Sequence, residues 1–116
     1  TFDENDLKLK RRSKLAIKFL GNAKKYINNK PEFYDSLEKA FHNYLKAKLR
    51  IETVDIQRDI VVNSLVKKGA NTSTIDSFMI ILDNCNMARY SKITNVKMKQ
   101  DYYSAIDIIE KLDNEI

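Results

Sequence analysis

"PEFYDSLEKAFHNYLKAKLR" occupies residues 31 to 50, and its reading decides the fold. Phe33, Tyr34, Leu37, Ala40, Phe41, Tyr44 and Leu45 recur at spacings of three and four, the pattern of one face of a 3.6-residue helix. The stem of Lys48, or Leu49, extends the same stripe. Pro31 suits a first helical turn, where its missing N–H costs nothing. Acids come early (Glu32, Asp35, Glu38) and bases late (Lys46, Lys48, Arg50), as the helix dipole favours. The spacing predicts a helix over Pro31–Leu49 whose broad apolar face must be covered by other elements.

Those other elements also read as helices. Before the quoted stretch, Leu15, Ala16, Phe19, Leu20, Ala23, Tyr26 and Ile27 place an amphipathic helix from about Asp6 to Ile27, stopped by Asn28-Asn29-Lys30. After it, "RIETVDI" (50–56) is a short irregular connection. A third helix runs from about Gln57 to Lys68 with Val61 and Leu65 inward and Val62 and Val66 as further candidates for that face, and Lys67-Lys68-Gly69 ends it. "ANTST" then supplies a loop, with Ser73 and Asp76 approximating a capping box. A fourth helix from about Thr74 to Tyr90 carries Ile75, Phe78, Met79, Leu82, Cys85 and Arg89 on one stripe. A fifth, from about Val96 to Asn114, buries Met98, Tyr102, Ala105, Ile106, Ile109 and Leu112 and leaves Asp101, Asp107, Glu110 and Lys111 outside. The expectation is an all-α fold, a compact bundle of about five helices whose first helix is long and basic.

Composition agrees. A chain of 116 residues suits a single helical domain over 1–116, and 43% hydrophobic with 32% charged residues is a globular balance. Two glycines and one proline leave few turn formers for β-structure. One cysteine cannot close an internal disulfide, and with one histidine beside it a Cys/His metal site is nearly excluded. No apolar run of about 18 residues appears. The chain begins at Thr1 without a signal pattern, and the expectation is a fragment cut from a longer protein. Its net charge of +5 is concentrated at one end: residues 1–30 carry nine Lys/Arg against three acids, and the remainder sums to −1. Such an end reads as a nucleic-acid patch, a lipid-facing polybasic segment, the cytoplasmic flank of a membrane helix, or a solvated helix face.

Motifs for chemistry are missing. There is no glycine-rich phosphate loop, no HExxH and no G-x-S-x-G, so neither an enzyme nor a cofactor is expected. His42 sits one position off the apolar stripe. Cys85, with Arg89 one turn on, has the cation that can favour a thiolate, but it lies on the buried stripe near a helix C-terminus, where the dipole opposes ionisation. Packing is the reading preferred over reactivity. Lys10, Arg11, Arg12 and Lys14 have no aromatic readers beside them, which weakens a nucleic-acid interface without removing it as the alternative; that reading predicts steeply salt-dependent binding.

Four strings, in order, carry a resemblance: "FYDSLEKAFHNYLKAKLRI" (33–51), "LVKKG" (65–69), "LDNCNMARYS" (82–91) and "YYSAIDIIEKLDNEI" (102–116). Together they resemble the C-terminal domain of BatD, the Bacteroides aerotolerance family, with its F-Y-x-x-L-x-x-A-x-x-x-Y-L, L-D-x-C-x-x-A-R-Y and A-I-x-I-I-x-x-L elements. One departure stands out: the family continues A-R-Y with Ala-Pro, whereas here Ser91-Lys92-Ile93-Thr94 follows. The resemblance implies a membrane-anchored protein whose helical tail lies at the cytoplasmic face of the inner membrane, with residues 1–14 as a membrane-proximal basic segment. It also implies a non-catalytic role in oxygen tolerance, with other Bat membrane proteins and a MoxR-type AAA ATPase as partners. The candidate contact residues are Arg89 and Tyr90 together with Lys10, Arg11, Arg12 and Lys14.

Overall fold

The apolar face of residues 31–50 is covered from several sides. The computed structural model describes residues 14–51 and 57–116, and five α-helices and one 3-10 turn lie among them, with no strand. They are α1 (Lys14–Lys24), α2 (Lys30–Leu49), α3 (Arg58–Lys67), α4 (Thr72–Met87), the 3-10 turn Ala88–Tyr90, and α5 (Asn95–Glu115). The all-α bundle expected from the periodicity is the fold. The part of the first helix expected over residues 6–13 lies outside the described residues, and so do Lys10, Arg11, Arg12 and most of the connection at 50–56.

α2 is the central element: it packs on α1, α4 and α5, while α5 also lies against α1 and α4. Every stripe residue of α2 from Phe33 to Leu45 is buried. Aromatic contacts tie the layers together. The Phe19 ring on α1 meets Tyr44 edge-on at 5.4 Å, and Phe41 meets Phe78 of α4 at 5.0 Å. One core draws on all five helices, from Ala16 and Leu20 through Val61 and Leu65 to Ile109 and Leu112. The Cα radius of gyration is 13.7 Å, close to the ~13 Å of a compact 100-residue domain.

α3 ends as its sequence predicts. Gly69 has φ +97°, the Gly69 N–H donates to the Val66 carbonyl, and the Ala70 N–H donates to that of Leu65, each at 3.0 Å. This pair of bonds is a Schellman stop.

The start of α4 differs from the expectation at Ser73. The helix begins at Thr72 with Asn71 before it, Asn71's own side chain makes no cap, and Ser73 lies within the first turn. The cap comes from the far end of the chain: Glu115 accepts from the Asn71 N–H at 2.8 Å and from the Thr74 hydroxyl at 2.9 Å. A carboxylate on a helix N-terminus meets both an orphan donor and the positive end of the dipole. Glu115→Ala is therefore expected to lower stability by about 1 kcal/mol, the usual loss for an N-cap, as measured by urea unfolding. Gly69→Ala should also be unfavourable, since a Cβ there sits at a strained φ and 3.3 Å from the Glu115 carbonyl oxygen.

α5 corrects a second expectation. Asp101 is buried, at 3% exposure, rather than outside. Because α5 is packed on more than one side, its buried face is wider than a single stripe, and Ile108 joins the core with Asp101. The α5 start is capped locally: the Thr94 hydroxyl accepts from the Lys97 N–H at 3.1 Å.

Candidate functional site

The C-terminal end of α4 and the N-terminal half of α2 enclose a cleft of about 470 Å³, a volume within the range of ligand-sized sites. One wall is α2, with Lys30, Pro31, Glu32, Tyr34, Asp35 and Glu38; the other is Cys85, Ala88 and Arg89. The two walls are held at a fixed spacing. Lys30 donates from Nζ to the Ser91 carbonyl at 2.7 Å, tying the start of α2 to the residue after the 3-10 turn. Ser91 in turn donates its hydroxyl to the Met87 carbonyl at 3.2 Å, closing the last turn of α4.

The 3-10 turn decides what faces out. Arg89 was expected on the same stripe as Cys85, four residues before it. Tightening to three residues per turn over 88–90 advances each residue by 120° rather than 100°. Ala88 consequently takes the buried position, at 3% exposure, and Arg89 is exposed. Tyr90 stands 87% exposed and Met87 61% exposed, so two large side chains close to Arg89 in the chain stand in solvent.

Behind the cleft lies a buried polar link. Tyr34 donates its hydroxyl to Asp101 Oδ2 at 2.6 Å, and Lys97 donates to Oδ1 at 2.9 Å. Burial pushes the Tyr34 hydroxyl well above its ordinary range, and the bond to Asp101 pushes it further. Burial likewise raises the Cys85 thiol, with the Glu38 and Asp101 carboxylates adding to the shift. Cys85 is 4% exposed. A protonated, buried thiol is a poor nucleophile, so the sulfur's role here is to pack.

The raised thiol has a pH consequence. The unfolded chain loses the Cys85 proton near its ordinary 9.0, while the folded chain retains it well beyond. Below that value the contribution to stability is constant. Above it the unfolded state sheds a proton that the folded state keeps, and stability falls by up to about 1.4 kcal/mol per pH unit. Tyr34 and Tyr44, both raised chiefly by burial from an ordinary 10.0, add to the decline at higher pH. Urea midpoints measured on either side of the thiol's ordinary value should show this loss, and Cys85→Ala should make its onset shallower.

The sequence-predicted contact residues do not form one patch. Arg89 and Tyr90 are at the α2–α4 corner, whereas Lys14 opens α1 beside Glu110, Asp113 and Asn114 of α5 and lines a separate crevice of about 110 Å³. Lys10, Arg11 and Arg12 fall outside the described residues. What the sequence reading missed was the α2 side of the cleft. Lys30, Glu32 and Glu38 are exposed or half-buried surface positions of an amphipathic helix, and nothing local marks them as facing residues 85–89. Among the described residues no cluster of His, Cys, Asp and Glu is placed to hold a metal, and no helix is long and apolar enough to cross a membrane. His42 is half-exposed and 3.9 Å from Glu38.

No family model matches the chain, and no match to it is found among curated proteins or solved structures.

Proposed function

We propose that this chain is a non-catalytic protein-interaction domain of the BatD type. Its basic start lies at the cytoplasmic face of an inner membrane, as the tail of a membrane-anchored protein, and the domain docks Bat membrane proteins or a MoxR-type AAA ATPase. The corner formed by Met87, Arg89 and Tyr90 is the contact surface. The observation that carries this reading is the exposure of Tyr90 and Met87 beside an exposed arginine at the mouth of the cleft. Tyrosine, methionine and arginine are the side chains enriched at interfaces, where an amphipathic ring or a planar guanidinium contributes area at little entropic cost.

The bond from Lys30 to Ser91 supports the same reading, because it fixes the corner before any partner arrives and so limits the ordering cost of binding. Capture of the cognate ATPase and Bat proteins by the 116-residue chain tests it. The variant carrying Arg89→Ala and Tyr90→Ala should lose at least about tenfold in affinity, the loss of one hot-spot side chain or more. Full retention of affinity removes the corner as the contact surface.

A further inference from the structure

The cleft beside that corner has a composition of its own. Its floor is apolar or neutral: Cys85 and Ala88 are buried, and Tyr34 is buried with its hydroxyl already engaged by Asp101. Its α2 wall carries three carboxylates, Glu32, Asp35 and Glu38, on successive turns. Asp35 is paired with Lys39 at 3.0 Å, while Glu38 has the His42 imidazole at 3.9 Å, a partner that carries charge only when protonated. Of the two cations lining the cleft, Lys30 is held on the Ser91 carbonyl, and Arg89 is solvated at the surface.

We infer that this cleft receives a lysine or arginine side chain presented by a protein partner. The aliphatic stem lies along Pro31, Cys85 and Ala88, and the charged head reaches Glu32 and Glu38. Side chains of this type bury an apolar stem and keep a charged end near water, and the cleft offers an apolar floor and an acidic wall in the same arrangement. The electrostatics at the floor favour the same occupant: Glu38 and Asp101 both act on the Cys85 thiol as negative neighbours. Asp101 is already paired with Lys97, whereas the neighbour of half-buried Glu38 is the His42 imidazole at 3.9 Å, which offsets its charge only when protonated. The Arg89 charge is opposed in sign but faces solvent, where screening weakens it most. The inference rests on the docking reading above and specifies the chemistry that the partner brings to it.

The test uses the 116-residue chain and three blocked pentapeptides, identical except for a central arginine, norleucine or glutamate. Amide NMR shifts are followed for residues 32–38 and 85–89. The arginine peptide should shift these residues and bind more tightly than the other two, and Glu32→Gln with Glu38→Gln should weaken it by about fivefold. Both glutamates are outside the core, and a helical circular-dichroism spectrum equal to the parent's confirms that the variant is folded. Equal or tighter binding of the glutamate or norleucine peptide overturns the inference, as does arginine-peptide binding that ignores the glutamine substitutions. Partner capture separates the two claims. If Arg89→Ala with Tyr90→Ala abolishes capture while the glutamine variant captures fully, the corner stands as the docking surface and the basic anchor does not.

Discussion

Phe41→Ala should destabilise the domain by about 3–5 kcal/mol, the range for removing a phenylalanine from a packed core. The ring is fully buried, lies midway along α2 and packs 5.0 Å from Phe78 across the α2–α4 contact. Removing it leaves a void between the two helices that also wall the cleft. Total stabilities of small domains are only about 5–15 kcal/mol, so much of the folded population is at stake. Urea unfolding should show a large fall in midpoint with little change in slope. The corner at 87–90 should loosen with it, since α2 positions one side of that corner. A loss below about 1 kcal/mol would be that of a surface site rather than a core one, and it would contradict the placement of α2 at the centre of the bundle.

The link between Tyr34 and Asp101 should give the second large effect. Asp101→Ala leaves the Tyr34 hydroxyl buried and without its acceptor, a loss of about 1–3 kcal/mol. Lys97 loses its partner too, but its side chain is 47% exposed, so water compensates that end. Tyr34→Phe alone removes the donor from a buried carboxylate, and bonds to charged groups contribute about 1.5–3 kcal/mol. In the Asp101→Ala background, however, Tyr34→Phe removes only an orphaned hydroxyl and should cost little or restore stability. The four proteins of this cycle should therefore show strong coupling in urea unfolding, well above the ~0.5 kcal/mol scatter of independent sites. Additive losses would mean that the hydrogen bond does not join α2 to α5 energetically.

How much of this was legible in the sequence varies with the range of the interaction. The α2 stripe was readable residue by residue, because helical burial repeats every three or four positions. The stop at Gly69 was readable because a left-handed glycine after two lysines is a local signal. Asp101 was misplaced, since a single-stripe reading of α5 assumes one packed side, and this helix has more. Ser73 was misread as a cap because the group that caps α4, Glu115, lies at the other end of the chain. Arg89 was put on the Cys85 stripe because a uniform helical period was carried through residues 88–90, where the backbone tightens.

The candidate site divides the same way. Arg89 and Tyr90 stood out as the end of a helix, but the wall they face could not be named without the tertiary fold. Glu32 and Glu38 look like ordinary solvated acids of an amphipathic helix, and Glu32, in the first turn, serves the dipole as well. Only the packing of α2 against α4 makes them one side of a cleft. The Lys30 bond to Ser91 is equally invisible to any local pattern.

The proposed docking corner is tested most directly by site-specific photocrosslinking in cells. A photoreactive phenylalanine analogue at position 90 is compared with one at position 76, an exposed site near the opposite end of α4. Crosslinks to a Bat protein or the MoxR-type ATPase from position 90, with none from position 76, are the predicted result. Crosslinks to those partners from position 76 and none from position 90 would contradict the assignment of the Met87–Arg89–Tyr90 corner as the contact surface.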